Sequence, residues 1–180
     1  TFHVVALKGL EPAHSYAYSV KIAGKAGALK SASFTTAPVE ASGAPFRFLV
    51  YGDNRSDDET HAAIVAQMKG APGDFLLNTG DFVADGGNEA QWQRFFDIEA
   101  PLLATRPIVS CVGNHELTDK SASAYLRYFA STKALADSKP ELSGSLRWSN
   151  ARFFLVNAMT SYAEGNDRAW LERELEIFRK

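Results

Sequence analysis

One cysteine, Cys111, is present among 180 residues. That excludes an internal disulfide and any zinc site built from several thiolates. Within "PIVSCVGN" it reads as a small buried hydrophobe. No apolar run approaches the ~18 residues that a membrane span requires. The opening "TFHVVALKGL" lacks the charged region and apolar core of a secretion signal, and reads either as the start of a mature or trimmed chain or as a chain whose start is missing. An excess of one charge is missing too: 19 Lys and Arg stand against 21 Asp and Glu, for a formal net charge of −2. Such a chain carries no basic field for nucleic acid. There is no Walker loop, no G-x-S-x-G elbow and no cysteine nucleophile with a partner base. Histidine is scarce, with four in all and none after His115.

What is present is ordinary for a folded soluble domain, at 46% hydrophobic and 22% charged residues. Two textures meet near residue 40. Up to about residue 37 the chain reads as short strands, with Tyr16, Tyr18, Val20 and Ile22 alternating onto one face. "APVEASGAP" (37–45) has linker composition, which gives a segment 1–38, a linker 39–45 and a larger unit 46–180. From residue 46 strands alternate with helices. "FRFLVYGD" leads to a helix over about 57–69, with Ser56 and Glu59 as a capping box. Then come "DFLLNTGD", a helix through "NEAQWQRFFDI", and "PIVSCVGNHE". Near-continuous apolar strands alternating with helices predict an α/β fold whose sheet is covered on both faces. "LRWSNARFFLVNAM" reads as a hairpin around Ser149-Asn150, and the final helix groups Leu171, Leu175 and Phe178. Trp92, Phe95 and Phe96 read as core.

The three leading strands end alike, in Gly52-Asp53, Gly80-Asp81 and Gly113-Asn114-His115-Glu116. Open α/β sheets bind ligands beyond the carboxyl ends of their strands. Carboxylates gathered there repel one another unless a cation stands among them. Carboxylate, carboxamide and imidazole together suit a hard or borderline divalent metal. A single Gly-Asp is often only a turn or a cap; three such endings in order point to a metal site.

"YGDNR", "NTGDFV" and "CVGNHE" resemble the first three motifs of the calcineurin-like metallophosphoesterase superfamily. "LKGLEPAHSYAYSV", with Leu10, Pro12 and Tyr16 at a corner, resembles the last strands of a fibronectin type III-like domain, which points to the purple acid phosphatase-like branch. The resemblance implies a β-sandwich flanked by helices and two metal ions (Fe, Mn or Zn). It implies that Asp53 binds the first metal, Asp81 bridges both and Asn114 binds the second. His115 would contact the phosphate and help the leaving group depart. The expected activity is hydrolysis of a small phosphate ester by a metal-bound hydroxide. The branch implies a secreted or periplasmic setting, with neither a membrane span nor nucleic acid as a structural partner.

The sequence departs from the family pattern in three places. Arg55 stands where a ligand histidine is common, and reads either as a phosphate clamp or as a partner of Asp57 or Asp58. Ala84 replaces the tyrosine of purple acid phosphatases, so ferric iron is not implied. The late Gly-His-x-His motif is absent, which reads as truncation; a chain ending at Lys180 would hold an incomplete site. His61 is a candidate to complete the first metal site, weighed against a core-edge histidine. Besides a phosphomonoesterase, a phosphodiesterase or nucleotidase and a non-catalytic extracellular binding module stay open.

Overall fold

The computed structural model describes residues 3–27, 29–118, 122–129, 142–159 and 166–178. Strands β1 (Ser15–Val20) and β2 (Lys30–Thr35) pair antiparallel, with Ser15 opposite Thr35 and Val20 opposite Lys30. Tyr16 and Tyr18 are half-buried, and Tyr16 stacks on Phe34 with ring centroids 6.0 Å apart. Val20 and Ile22, expected on the same covered face, are exposed. The Tyr16 hydroxyl accepts a hydrogen bond from the Glu11 N–H at 2.8 Å, the bond that a tyrosine corner makes to its own upstream backbone.

The central sheet is parallel, in the order β3 (Phe48–Tyr51), β4 (Phe75–Asn78), β5 (Ile108–Ser110). Phe48 lies opposite Phe75, and Leu76 opposite Ile108. Parallel neighbours need a crossover, supplied here by α1 (Asp58–Gly70) and α2 (Glu89–Leu103). After these come α3 (Ser123–Phe129), β6 (Gly144–Trp148), β7 (Ala151–Leu155) and α4 (Asn166–Phe178). β6 and β7 pair antiparallel around Ser149-Asn150, where the sequence predicts the hairpin.

Side-chain alternation sends β4 to two different partners. Leu76 faces the helices with Val65, Met68 and Leu102, whereas Phe75 faces the hairpin with Trp148 and Leu155. Both residues are fully buried, each contributing about 1.5–3 kcal/mol. Cover on both faces explains the apolar run of β4, but the sheet is not covered throughout as expected: Phe48 and Val50 of β3 are exposed. A third cluster, Phe82, Trp92, Phe95, Tyr125 and Phe129, lies under the loop that follows β4. The Trp92 indole N–H donates to the Gly86 carbonyl at 2.9 Å, bracing that loop.

The linker is fastened rather than loose. Ala41 N–H donates to the Ser149 carbonyl and the Ser149 hydroxyl donates to the Ala44 carbonyl, both at 2.8 Å. The Tyr18 hydroxyl donates to the Ala104 carbonyl at 2.9 Å, tying the first hairpin to the end of α2.

Three local expectations need correction. Asp57, not Ser56, caps α1: its Oδ1 accepts from the Thr60 N–H at 3.0 Å and its Oδ2 from the Thr60 hydroxyl at 2.8 Å. Ser56 instead occupies a left-handed turn with φ of 76°. Ile64, expected on the covered face of α1, is exposed, while His61, Val65 and Met68 are buried there. On α4 the buried anchor is Trp170, packed edge-on to Phe154, whereas Leu175 is exposed; the Phe178 side chain lies outside the described residues.

The Thr60 backbone N–H holds the Asp57 carboxyl below its usual range. Its contribution is therefore present above the ordinary carboxylate pKa and is lost as pH falls through the lowered value. Asp57→Ala should lower the melting temperature at pH 7, and Asp57→Asn should recover most of the loss. The gap between wild type and Asp57→Ala should close in melts run at progressively lower pH.

Candidate metal centre

The loops leaving β3, β4 and β5 start level because ladder bonding continues past the strands. Thr79 N–H donates to Tyr51, Asp53 N–H to Gly80 and Cys111 N–H to Asn78, each to the carbonyl at 2.9 Å. Contact between the loops then depends on two glycines. Gly80 has φ of 100°, and a Cβ there would stand 2.6 Å from the Gly113 nitrogen. A methyl group on Gly113 would overlap the Asp81 carboxylate. The aspartates that follow the first two strands share one backbone state, with φ of 55° at Asp53 and 57° at Asp81. Left-handed backbone is uncommon outside glycine, though aspartate tolerates it. Its repetition at equivalent places turns both carboxylates to the same edge.

A guanidinium joins them. Arg55 Nη1 pairs with the Asp53 carboxylate and donates to Asp81 Oδ2 at 2.9 Å. The other oxygen, Asp81 Oδ1, accepts the His115 N–H at 3.1 Å. The partners expected for Arg55 are engaged elsewhere: Asp57 caps α1, and Asp58 accepts from Arg94 Nε at 2.8 Å. Asn114 is exposed between Gly113 and His115. His115 Nδ1 lies 2.6 Å from the Ala84 carbonyl. A carbonyl only accepts, so Nδ1 carries the proton, and Nε2 can donate only from a doubly protonated ring.

The main structural device is a residue whose role is not evident in the sequence. Glu116 is 1% exposed and accepts three backbone N–H bonds, from Asp81 and Phe82 at 2.9 Å and from Gly113 at 2.8 Å. Burial pushes its carboxyl up, the three N–H groups pull it back, and the Asp81 charge adds a smaller upward push. One side chain thus locks the second loop to the third. Asn78 does similar work at the end of β4: its Oδ1 accepts from the Gly80 N–H at 2.8 Å, and its Nδ2 donates to Asn54 Oδ1 at 3.1 Å.

Behind Asn54 lies His61. Its Nε2 is 2.8 Å from Glu99 Oε1 and 3.4 Å from Asn54 Nδ2. Both members of the His61–Glu99 pair are buried. Desolvation, with the Glu99 charge adding to it, pushes the adjacent Tyr51 phenol above its ordinary range. His61 therefore sits in a buried polar relay with its Nε2 on Glu99, and reaching a cation through that nitrogen would break the pair. A polar residue closing the apolar strand "FLLN" was a visible signal for Asn78. Glu99 gave none, because its partner lies 38 residues away.

Two carboxylates already reach one positive group, and Asn114 offers a neutral oxygen on the neighbouring loop. That donor set fits a cation held by oxygen. Among the described residues no group of three or more His, Cys, Asp or Glu side chains is arranged to hold a metal. Beside it lies a cavity of about 490 Å³ bordered by Arg55, Asn88, Gln91, Arg94 and Phe95.

Residues 46–177 match the model of the calcineurin-like phosphoesterase domain, and the chain belongs to that family. The fold is shared with a purple acid phosphatase isolated from yellow lupin (Lupinus luteus) seeds, at a TM-score of 0.71, 18% identity and 93% coverage of this chain. It is shared also with PhoD, at a TM-score of 0.61, 18% identity and 83% coverage. The chain spans 34% and 38% of the lengths of those two structures. No helix among the described residues is long and apolar enough to cross a membrane.

Glu116→Ala would strand three N–H groups, two of them beside Asp81. It should lower unfolding free energy by about 3 kcal/mol or more, measured by urea denaturation. Glu116→Gln should fall between, since its amide places donors against donors.

Proposed function

We propose that the complete protein is a metal-dependent phosphomonoesterase, with Asp53, Asp81 and Asn114 holding a pair of metal ions. The single observation that carries this reading is the convergence of Asp53 and Asp81 on one cation at the ends of parallel strands. Metal ions bound there would supply Lewis acidity and acidify a water at neutral pH. The chain's own residues do the rest. Asp81, fixed by Glu116 and by the His115 N–H, would offer its carboxylate to the metal ions from a set position. Asn114 contributes oxygen without adding charge that would repel a phosphate. His115, oriented by Ala84, donates from Nε2 to the departing oxygen, a contribution of about 10²–10⁴-fold in rate. Arg55 has the planar fork that clamps phosphate oxygens. His61 supports Asn54 from behind through the Glu99 pair.

Residues 1–38 read, in the same proposal, as the last strands of a fibronectin III-like domain, supported by the Tyr16–Glu11 bond. Export to the periplasm or beyond goes with that module. One observation favours a second reading. Arg55 neutralises both metal-facing carboxylates, as it would in a binding module that has given up catalysis.

The complete protein, supplied with manganese, zinc or iron, should turn over p-nitrophenyl phosphate faster than its bis-ester and stop when chelated. Asp81→Asn should remove at least about 10²-fold of that rate, and His115→Ala about 10²–10⁴-fold. Faster turnover of the bis-ester would make it a diesterase, and no metal-dependent turnover would favour the binding module. His61→Ala should reduce thermal stability while leaving metal stoichiometry unchanged; lost metal would make His61 a ligand.

A further inference from the structure

We propose that Arg55 is an exchangeable counter-ion, standing between Asp53 and Asp81 until a phosphate group draws it away, so that metal and phosphate bind there cooperatively. This inference rests on the metal reading above. Arg55 Nη1 serves both carboxylates, in the gap where a bridging cation would stand. Guanidinium cannot itself ligate a metal, having donors and no acceptor. An incoming metal and Arg55 therefore compete for the same oxygens.

Arg55 is also free to leave. Its side chain is 28% exposed, and among the described residues its only polar partners are Asp53 and Asp81. It borders the 490 Å³ cavity together with Asn88, Gln91 and Arg94, so there is space to turn away from the aspartates. The nearby carboxylates Asp57 and Asp58 are occupied by the Thr60 cap and by Arg94, so neither is a ready substitute partner. A phosphate supplies what the released guanidinium lacks, two oxygens matched to its fork. Metal alone meets the full competition of Arg55, whereas phosphate removes it. By linkage the metal must strengthen phosphate binding by the same factor.

The test titrates Mn²⁺ into the metal-free complete protein, following free ion by electron paramagnetic resonance. Millimolar inorganic phosphate is compared with chloride at equal ionic strength. Phosphate should tighten Mn²⁺ binding to the wild type by about 10-fold, within the usual range of such couplings. Arg55→Ala should bind Mn²⁺ about 10-fold tighter than wild type in chloride and lose most of the phosphate effect. Arg55→Lys keeps the charge without the fork, so it should bind Mn²⁺ weakly with a reduced phosphate response. Thermal melts establish that each variant is folded. Mn²⁺ affinity unchanged or weakened in Arg55→Ala, or unaffected by phosphate in the wild type, would overturn the exchange. Asp81→Asn binding Mn²⁺ as well as wild type, or no binding by any variant, would overturn the metal reading together with it.

Discussion

The structure depends on keeping like charges together at one sheet edge, where the Asp53 side chain is largely exposed and those of Asp81 and Glu116 are mostly covered. Three carboxylates, Asp53, Asp81 and Glu116, gather where three parallel strands stop, held by backbone N–H groups, by one guanidinium, or by both. Glu116 is satisfied by backbone N–H groups at 2.8–2.9 Å, and Asp53 by the Arg55 guanidinium. Asp81 is satisfied by Arg55 on one oxygen and by the His115 N–H on the other. The division has a physical logic. A carboxylate facing backbone donors is fixed in place and unavailable, whereas one facing a side-chain cation can exchange that cation for another. Glu116 locks the loops together, and the aspartates keep a partner that can be exchanged.

Positioning reaches further back than the loops. Asn78 closes β4 and fastens Gly80, Asn54 rests on Asn78, and His61 and Glu99 lie behind Asn54. This relay joins α1 and α2 to the backbone that carries Asp81. Buried polar networks are stable only when nearly every member is satisfied. Glu99 Oε2 and the Tyr51 hydroxyl, adjacent in that network, are its two buried side-chain atoms without a hydrogen-bond partner among the described residues. At the loop end of the relay Asn78 is bonded through both its oxygen and its nitrogen, so slack in the relay lies at its rear.

Much of this was legible in the sequence, because the signals were local. Apolar runs ending in Gly-Asp fixed the strands, their direction and the edge at which their ends meet. The hairpin at Ser149-Asn150 and the core roles of Trp92 and Phe95 followed from pattern alone. Contacts between residues distant in sequence were not legible. Of the two readings of Arg55, the pairing with Asp57 or Asp58 rests on closeness along the chain, yet its partners are Asp53 and, 26 residues away, Asp81; the phosphate-clamp reading is untouched by this. Glu99 looked like any charged helical residue, and the three N–H groups that meet Glu116 belong to backbone, which sequence does not mark. Asp57 rather than Ser56 caps α1, and Ser56 stands in left-handed backbone with φ of 76°, which a side-chain pattern does not mark.

Substituting an arginine where a ligand histidine is common changes more than the ligand count. A neutral imidazole adds a donor and no charge, so it strengthens the hold on a metal. Arginine removes a donor and adds a fixed positive charge that no accessible pH will discharge. At a separation of about 5 Å and an effective dielectric of about 20, that charge and a divalent ion repel by roughly 6–7 kcal/mol before either relaxes. Such a penalty is comparable to the whole binding free energy of a micromolar ligand, about 8 kcal/mol. A site carrying Arg55 therefore cannot be a tight metal site with that guanidinium in place. A metal held tightly between Asp53 and Asp81 requires the Arg55 side chain to move away from them.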